Sequence, residues 1–333
     1  MYSDYPAAVL SSFEILLLGL MNAPLIVILG PTASGKSCLA VHLARDFNGE
    51  VVNCDSVQIY KYLKIGTSKL TKPEQAGIPH HLMGILEPDQ LFTAGEYLRL
   101  GRKLLVEIEQ RNHLPLVVGG TGLYLRALLD GLFQGPTRSE GLRKRLSNLA
   151  ERKGSRHLHR LLDRVDGTSA QKIAINDKPK VVRALEVFFL TSRPLSWHFR
   201  SGRDPLRGFD ILKIGLNPAR QVLYELIDRR VDKMFADGLV DEVKWLLSRG
   251  FSPDLKPLQS LGYSRVVQFL QGRICLAEAL ALTKRDTRHY AKRQLTWFRK
   301  ENGVVWFDSV GGDPLLQSNV RAQVADFLKT GTH

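Results

Sequence analysis

The sequence predicts an α/β protein: a parallel β-sheet flanked by helices, interrupted by a basic all-helical insertion. Three observations predict it. Residues 25–37, "LIVILGPTASGKS", run a short apolar strand into a loop of the form G-x-x-x-x-G-K-S, the mark of a P-loop NTPase-like sheet. Strand and helix patterns then alternate to about residue 136, which implies parallel strands. From 138 to 207 strand patterns vanish, and 17 Lys and Arg stand against seven Asp and Glu, ten of the chain's net charge of +14.

The elements follow in order. Leu25 to Leu29 is apolar throughout, as a strand buried on both faces should be. Gly30 and Gly35 let the backbone curl so that its N–H groups converge on one anion. A helix starting near Lys36 aims its positive end at the same place. Lys36 adds a mobile cation, and Ser37 offers a hydroxyl to a bound Mg²⁺. "EVVNCDS" (50–56) reads as a second strand ending in Asp55, and "LPLVVGGTGLY" (114–124) as a third ending in a glycine turn. Between them, Tyr97, Leu100, Leu104, Leu105 and Ile108 recur at helical spacing. The insertion carries helical patterns in "EGLRKRLSNLAERKG", "SRHLHRLLDRV" and "PKVVRALEVFFLTS". A strand returns at 209–216, a helix at 219–238 stops at Gly238, and "GVVWFDS" (303–309) is the last strand. The expected division is a core of 25–137 and 208–333, a basic helical insertion of 138–207, and a loosely attached extension of 1–24.

Composition narrows the function. At 333 residues and 44% hydrophobic the chain can bury a sizeable core, and its charge points to a polyanionic partner. Cys38, Cys54 and Cys275 are scattered and odd in number, against a disulfide framework or zinc site and consistent with a reducing cytosol. The apolar run around Ile15 to Leu20 is too short to span a membrane, and no Lys or Arg precedes Lys36, so no signal or transit leader is read there. Met21 is an alternative start. The protein is expected to be cytoplasmic and monomeric.

Three features bear on the phosphate loop. A P-loop ATPase usually ends a neighbouring strand in a carboxylate that holds Mg²⁺. Here the strand through Val118 ends in Gly119, Gly120 and Thr121, and Asp55 ends a different one. Asp55 suits a general base or metal ligand, and equally a turn cap. In "TKRDTRHYAKRQLTWFRK" (283–300), Arg285, Arg288, His289, Lys292, Arg299 and Lys300 fall within roughly 120° of each other, with Tyr290, Ala291, Trp297 and Phe298 opposite. A stripe of one sign suits a phosphate backbone. The residues alone leave open an ATP-dependent small-molecule kinase, a transferase acting on a free nucleotide, and an RNA-binding module with a relic P-loop. The basic insertion and stripe argue against the first two.

The set "GPTASGKS", "NCDSVQIYKYLKIGTSK", "PHHL", "VVGGTGLYLRALLDGL", "RALEVF", "LGYSR" and "AKRQLTWFRK", running from Leu25 to about Ser309, resembles the tRNA dimethylallyltransferases of the short bacterial type. The resemblance implies transfer of a dimethylallyl group from dimethylallyl diphosphate to N6 of adenosine-37, beside the anticodon, with the tRNA anticodon stem-loop as partner and Mg²⁺ as cofactor. It implies that Gly30, Pro31, Thr32, Ala33, Ser34, Gly35, Lys36 and Ser37 cradle the diphosphate with Arg230, and that Ser37 and Asp55 meet the metal. Asp55 would accept the N6 proton, beside Thr121 and with Arg230 as a third catalytic group. Asp55, Ser56, Val57 and Gln58 would line the adenosine pocket. Arg143, Lys180, Arg183, Gln259, Arg288, Lys292, Arg293 and Arg299 would hold the RNA. Where the family often has an aspartate two residues after "PHHL", this chain has Gly84, and "KPKVV" (178–182) departs from the family's more polar pattern.

Overall fold

Every residue from Leu25 to Leu29 is apolar, so the strand that contains them, β1 (Ala23–Leu29), can be covered on both faces. The computed structural model describes residues 22–133, 135–200 and 202–330; residues 1–21 of the expected extension lie outside them. Five further strands join β1: β2 (Gly49–Cys54), β3 (His80–His81), β4 (Leu114–Gly119), β5 (Phe209–Leu216) and β6 (Val304–Phe307). All pairings are parallel, in the order β3-β2-β4-β1-β5-β6.

Register decides where the loops fall. Leu29 lies opposite Gly119 of β4, and Gly119 lies opposite Cys54 of β2. The phosphate loop, the glycine turn and Asp55 therefore leave the same end of three adjacent strands, the carboxyl end where parallel sheets bind ligands.

Helices cover the sheet. On one face α1 (Lys36–Asp46) buries Leu39 and Leu43 against Ile26, Ile28, Leu116 and Ile214. The C-terminal helix, Pro314–Thr330, adds Leu316, Val320 and Val324 to the same cluster. Each such side chain contributes about 1.5–3 kcal/mol when fully buried. α2 (Ala94–Gln110) begins at Thr93, where a capping box joins Thr93 to Glu96. α3 (Gly122–Asp130) follows the glycine turn.

Contacts divide the described residues into two units, one within 1–128 and 206–333, the other within 129–205. In the second, α4 (Glu140–Lys153), α5 (Ser155–Val165), α6 (Gly167–Lys172), α7 (Lys178–Thr191) and α8 (Leu195–Arg200) pack around Leu146, Leu158, Leu162, Val181 and Leu185. At its centre the buried Glu186 receives both Arg143 (2.9 and 3.0 Å) and Arg183 (2.7 Å). Burial pushes that carboxyl up, but the two guanidinium groups outweigh it and hold it below the usual range.

The first unit continues with α9 (Arg220–Ala236), α10 (Leu239–Ser248), α11 (Tyr263–Leu270), α12 (Leu276–Phe298) and α13 (Pro314–Thr330). Five elements had no separate counterpart in the sequence reading: β3, α3, α6, α8 and α13. β3 is two histidines long, too short for any alternation, and forms only because Val51 and Val52 offer it an edge. α13 was not predicted. No described helix is long and apolar enough to cross a membrane.

At the far end of the sheet from the phosphate loop, Glu50 is 2% exposed. It accepts from Arg111 (3.1 and 2.7 Å), His81 (2.5 Å) and His113 (2.6 Å). Burial alone raises its pKa, but the hydrogen bonds from Arg111, His81 and His113 prevail and lower it to about 2 from an ordinary 4.5. A depressed carboxylate stabilises the fold above its unfolded pKa and ceases to as pH falls through the folded one. Glu50→Gln should therefore cost about 3 kcal/mol at neutral pH. Denaturant titrations of both proteins should show the gap shrinking as pH falls from about 5 toward about 2.

Candidate functional site

The loop after β1 closes on itself by local rules. Gly35 has φ +83°, and a Cβ there would stand 2.8 Å from the Gly311 nitrogen, so only glycine fits. The loop and the two neighbouring strand ends open onto a cavity of about 580 Å³. Thr32, Ala33, Gly35, Lys36 and Ser37 line it from one side, Asp55 and Gln58 from the turn after β2, Gly119 and Gly120 from the end of β4, and Arg230 from α9.

The cations are held against their preference. Lys36 Nζ donates to the Pro31 carbonyl at 2.5 Å. Burial first, and the Arg230 charge second, lower its pKa to about 7, against the opposing pull of Asp55. Arg230 donates to the Thr67 carbonyl at 3.0 Å; burial lowers its pKa while Asp55 raises it. Lys69, also lining the cavity, is lowered to about 8, chiefly by burial, with Glu242 opposing. A cavity that strains three cations toward neutrality favours an anion with several charges.

This has a measurable consequence. An anion beside Lys36 raises its pKa again, so binding takes up a proton wherever the free site is neutral, above about pH 7. Because the bound state holds more protons, affinity for inorganic diphosphate should fall as pH rises from about 7 to about 9. Calorimetry at about pH 8 in buffers of different ionisation enthalpy should show close to one proton taken up.

Asp55 closes the turn, and it also faces the cavity. Its Oδ1 accepts from the Val57 and Gln58 amides at 2.8 and 3.1 Å, forming the turn after β2. Its Oδ2 makes no hydrogen bond with a described residue, and Asp55 lines the cavity. Thr121 sits beside this turn: its hydroxyl accepts from the Ser56 amide at 3.1 Å and meets the Tyr290 phenol. Burial pushes that phenol up, Asp55 adds to this, and Thr121 opposes it.

A magnesium ion fits the donor set. Ser37 and Asp55 supply oxygen, the donor it takes, from one cavity. Among the described residues no three His, Cys, Asp or Glu cluster to hold a metal alone, so substrate oxygens would complete its shell.

The other expected residues scatter. Gly30, Pro31 and Ser34 shape the loop from behind rather than lining the cavity, and the buried Ser34 hydroxyl has no partner. The Thr32 amide is engaged by Gln294, so it is not free for phosphate. Ser56 and Val57 belong to the Asp55 turn. Arg143 and Arg183 are committed to Glu186, Lys180 pairs with Asp177, and Gln259 donates to the Pro253 carbonyl. On α12, Arg288 is paired with Asp228 of α9, and Lys284 with Asp232. The stripe of one sign is thus partly neutralised by a neighbour that helical periodicity could not reveal. Lys292, Arg293, Arg299 and Lys300 remain exposed beside two depressions of about 450 and 310 Å³.

Sequence reasoning missed Tyr290, Gln294 and Lys69. Tyr290 and Gln294 are one helical turn apart on the face read as apolar. A glutamine amid apolar neighbours on a buried face was the available signal.

Fold and site together define a P-loop α/β protein whose cavity sets the phosphate-loop cations beside a carboxylate, with no acidic end on β4, the strand next to the phosphate loop. Comparison with known proteins narrows this. Residues 58–301 match the IPP transferase family model, and 23–80 match that of isopentenyl transferase. The tRNA dimethylallyltransferase of Solibacter usitatus is 52% identical over 306 residues, covering 92% of this chain and 99% of the relative. That of Koribacter versatilis is 49% identical over 297 residues, covering 89% and 96%. The crystal structure of the tRNA isopentenylpyrophosphate transferase of Bacillus halodurans is 38% identical with a TM-score of 0.69, covering 93% of this chain and 98% of that one. A eukaryotic dimethylallyltransferase acting on tRNA gives 29% and 0.78, covering 92% and 80%. The chain belongs to the tRNA dimethylallyltransferases of the IPP transferase family.

Proposed function

We propose that the chain transfers a dimethylallyl group from dimethylallyl diphosphate to N6 of adenosine-37 in the tRNA anticodon loop, releasing diphosphate. One observation carries this reading: a single cavity joins the phosphate loop, Lys36 and Arg230 to the unpaired oxygen of Asp55.

The exocyclic amine of adenine is a poor nucleophile because its lone pair is delocalised into the ring. Asp55 Oδ2 takes the N6 proton as nitrogen bonds to the allylic carbon. The carbon–oxygen bond to diphosphate breaks, and its electron pair leaves with the diphosphate. Lys36 and Arg230 meet the charge that develops on it. Ser37 would hold Mg²⁺, which when bound further neutralises the leaving group, while Asp55 Oδ2 is kept for the proton. Thr121 and Tyr290 border the place the adenine occupies. The adenine leaves the anticodon stack at a cost of a few kcal/mol, which grip on the RNA elsewhere offsets. The helical unit of 129–205 contributes to that grip through its positive charge, and the protein acts in the cytoplasm as a monomer.

Mass spectrometry of tRNA nucleosides tests the reading. Incubation with dimethylallyl diphosphate and Mg²⁺ should yield N6-dimethylallyladenosine. ATP should neither replace the donor nor be hydrolysed; steady ADP production would favour a kinase.

The outer face of α12 supplies a separate test. Replacing Lys292, Arg293 and Arg299 by Gln should reduce the log–log salt slope of tRNA binding by roughly 2.1–2.7, at about 0.9 per duplex phosphate and about 0.7 per single-strand phosphate. Arg288→Gln should change the slope little, because Asp228 already neutralises it. An unchanged slope in the triple variant would make the face merely solvated.

A further inference from the structure

The two loops that must meet for transfer are joined by one side chain from a distant helix. Gln294 of α12 accepts the Thr32 N–H at 2.8 Å through Oε1 and donates to the Gly120 carbonyl at 2.8 Å through Nε2. Thr32 lies in the loop after β1, and Gly120 in the turn after β4, one residue before Thr121. Gln294 is 6% exposed. A Cβ on residue 120 would stand 2.1 Å from Nε2, so the turn closes onto the amide only as glycine. A carboxamide carries a donor and an acceptor side by side in a group that stays neutral at every pH, and Asn is one methylene shorter than Gln. One turn earlier on α12, Tyr290 meets Thr121. The same helix presents Lys292, Arg293 and Arg299 to solvent.

We infer that Gln294 is a positioning residue for the transfer. It fixes the separation between the loop holding the diphosphate and the turn bordering the acceptor adenine, and it does so from the helix whose outer face meets the RNA. Gln294 acts through Thr32 and Gly120, not on the reacting atoms. The inference rests on the transfer reading above. Its effect on rate follows from geometry, since a misplacement of about 1 Å can cost about 10²-fold.

Three measurements test it. Gln294→Met keeps most of the volume and removes both hydrogen bonds. In that variant the Thr32 amide should exchange with deuterium at least about tenfold faster, because its acceptor is gone. The single-turnover rate should fall roughly 10–10²-fold, while KM for tRNA and affinity for inorganic diphosphate stay within about threefold. Gln294→Glu keeps the acceptor but loses the donor while ionised. Burial raises the pKa of such a carboxyl, and its protonated form regains an O–H donor. The rate of Gln294→Glu relative to wild type at the same pH should therefore recover as pH falls from about 8 to about 6. Retained protection of Thr32 in Gln294→Met would remove the clamp. Lost protection with a wild-type rate would remove its role in positioning. Parallel losses in rate, both affinities and melting temperature would reduce it to structural support. If wild type itself made no prenylated nucleoside, the transfer reading would fail, and Thr32 exchange would still decide the clamp.

Discussion

Asp55→Ala is expected to lower the single-turnover rate of transfer by roughly 10²–10⁴-fold while leaving tRNA binding nearly intact. The expectation rests on a division of labour within one carboxylate: Oδ1 is spent on the Val57 and Gln58 amides, and Oδ2 is left over beside Lys36 and Arg230. The alanine variant removes both functions, so Asp55→Asn is the sharper comparison. Asparagine can still cap the turn through its carbonyl oxygen but cannot accept a proton in that range of pH. A comparable loss in both variants assigns the rate to proton transfer. A large loss in Asp55→Ala with near-normal turnover in Asp55→Asn would return Asp55 to the role of turn residue.

Arg230→Met should lower the transfer rate by roughly 10²–10³-fold, the usual cost of removing one donor aimed at developing negative charge. A partly buried guanidinium at the cavity wall is worth more than one in water because less solvent competes for the anion. A second readout separates this from misfolding. The Arg230 charge is one of the causes that lower the Lys36 pKa, so its removal should raise that pKa. More of Lys36 is then already protonated in the free site, and proton uptake on diphosphate binding at about pH 8 should fall, with its midpoint displaced upward. Burial of Lys36, the larger cause, persists, so some uptake should remain. An unchanged uptake profile together with an unchanged rate would remove Arg230 from the diphosphate site.

The local features of this protein were written in its sequence because their causes are local. Five successive apolar residues before "GPTASGKS" specify a doubly covered strand, and Gly35 specifies a backbone turn no other residue adopts easily. Phe209–Leu216 occupies the bounds its residues predicted, and the helical character of the basic segment followed from periodicity. Asp55 was legible as the end of a strand, with its alternatives open. Tertiary structure decided what touches what. Strand order placed β4, with its glycine end, beside β1, and set Asp55 one strand further out. Helical spacing identified a basic face on α12 but carried no information about Asp228, which neutralises Arg288 from another helix. Arg143 and Arg183 read as cations for RNA, and nothing local to either announced that Glu186 pairs with both. Gln294 reached the phosphate loop across 262 positions of chain. A sequence fixes the chemistry of each side chain and the face it occupies. Which charge is spent on a neighbour, and which remains for a ligand, depends on distances that exist only after the chain has packed.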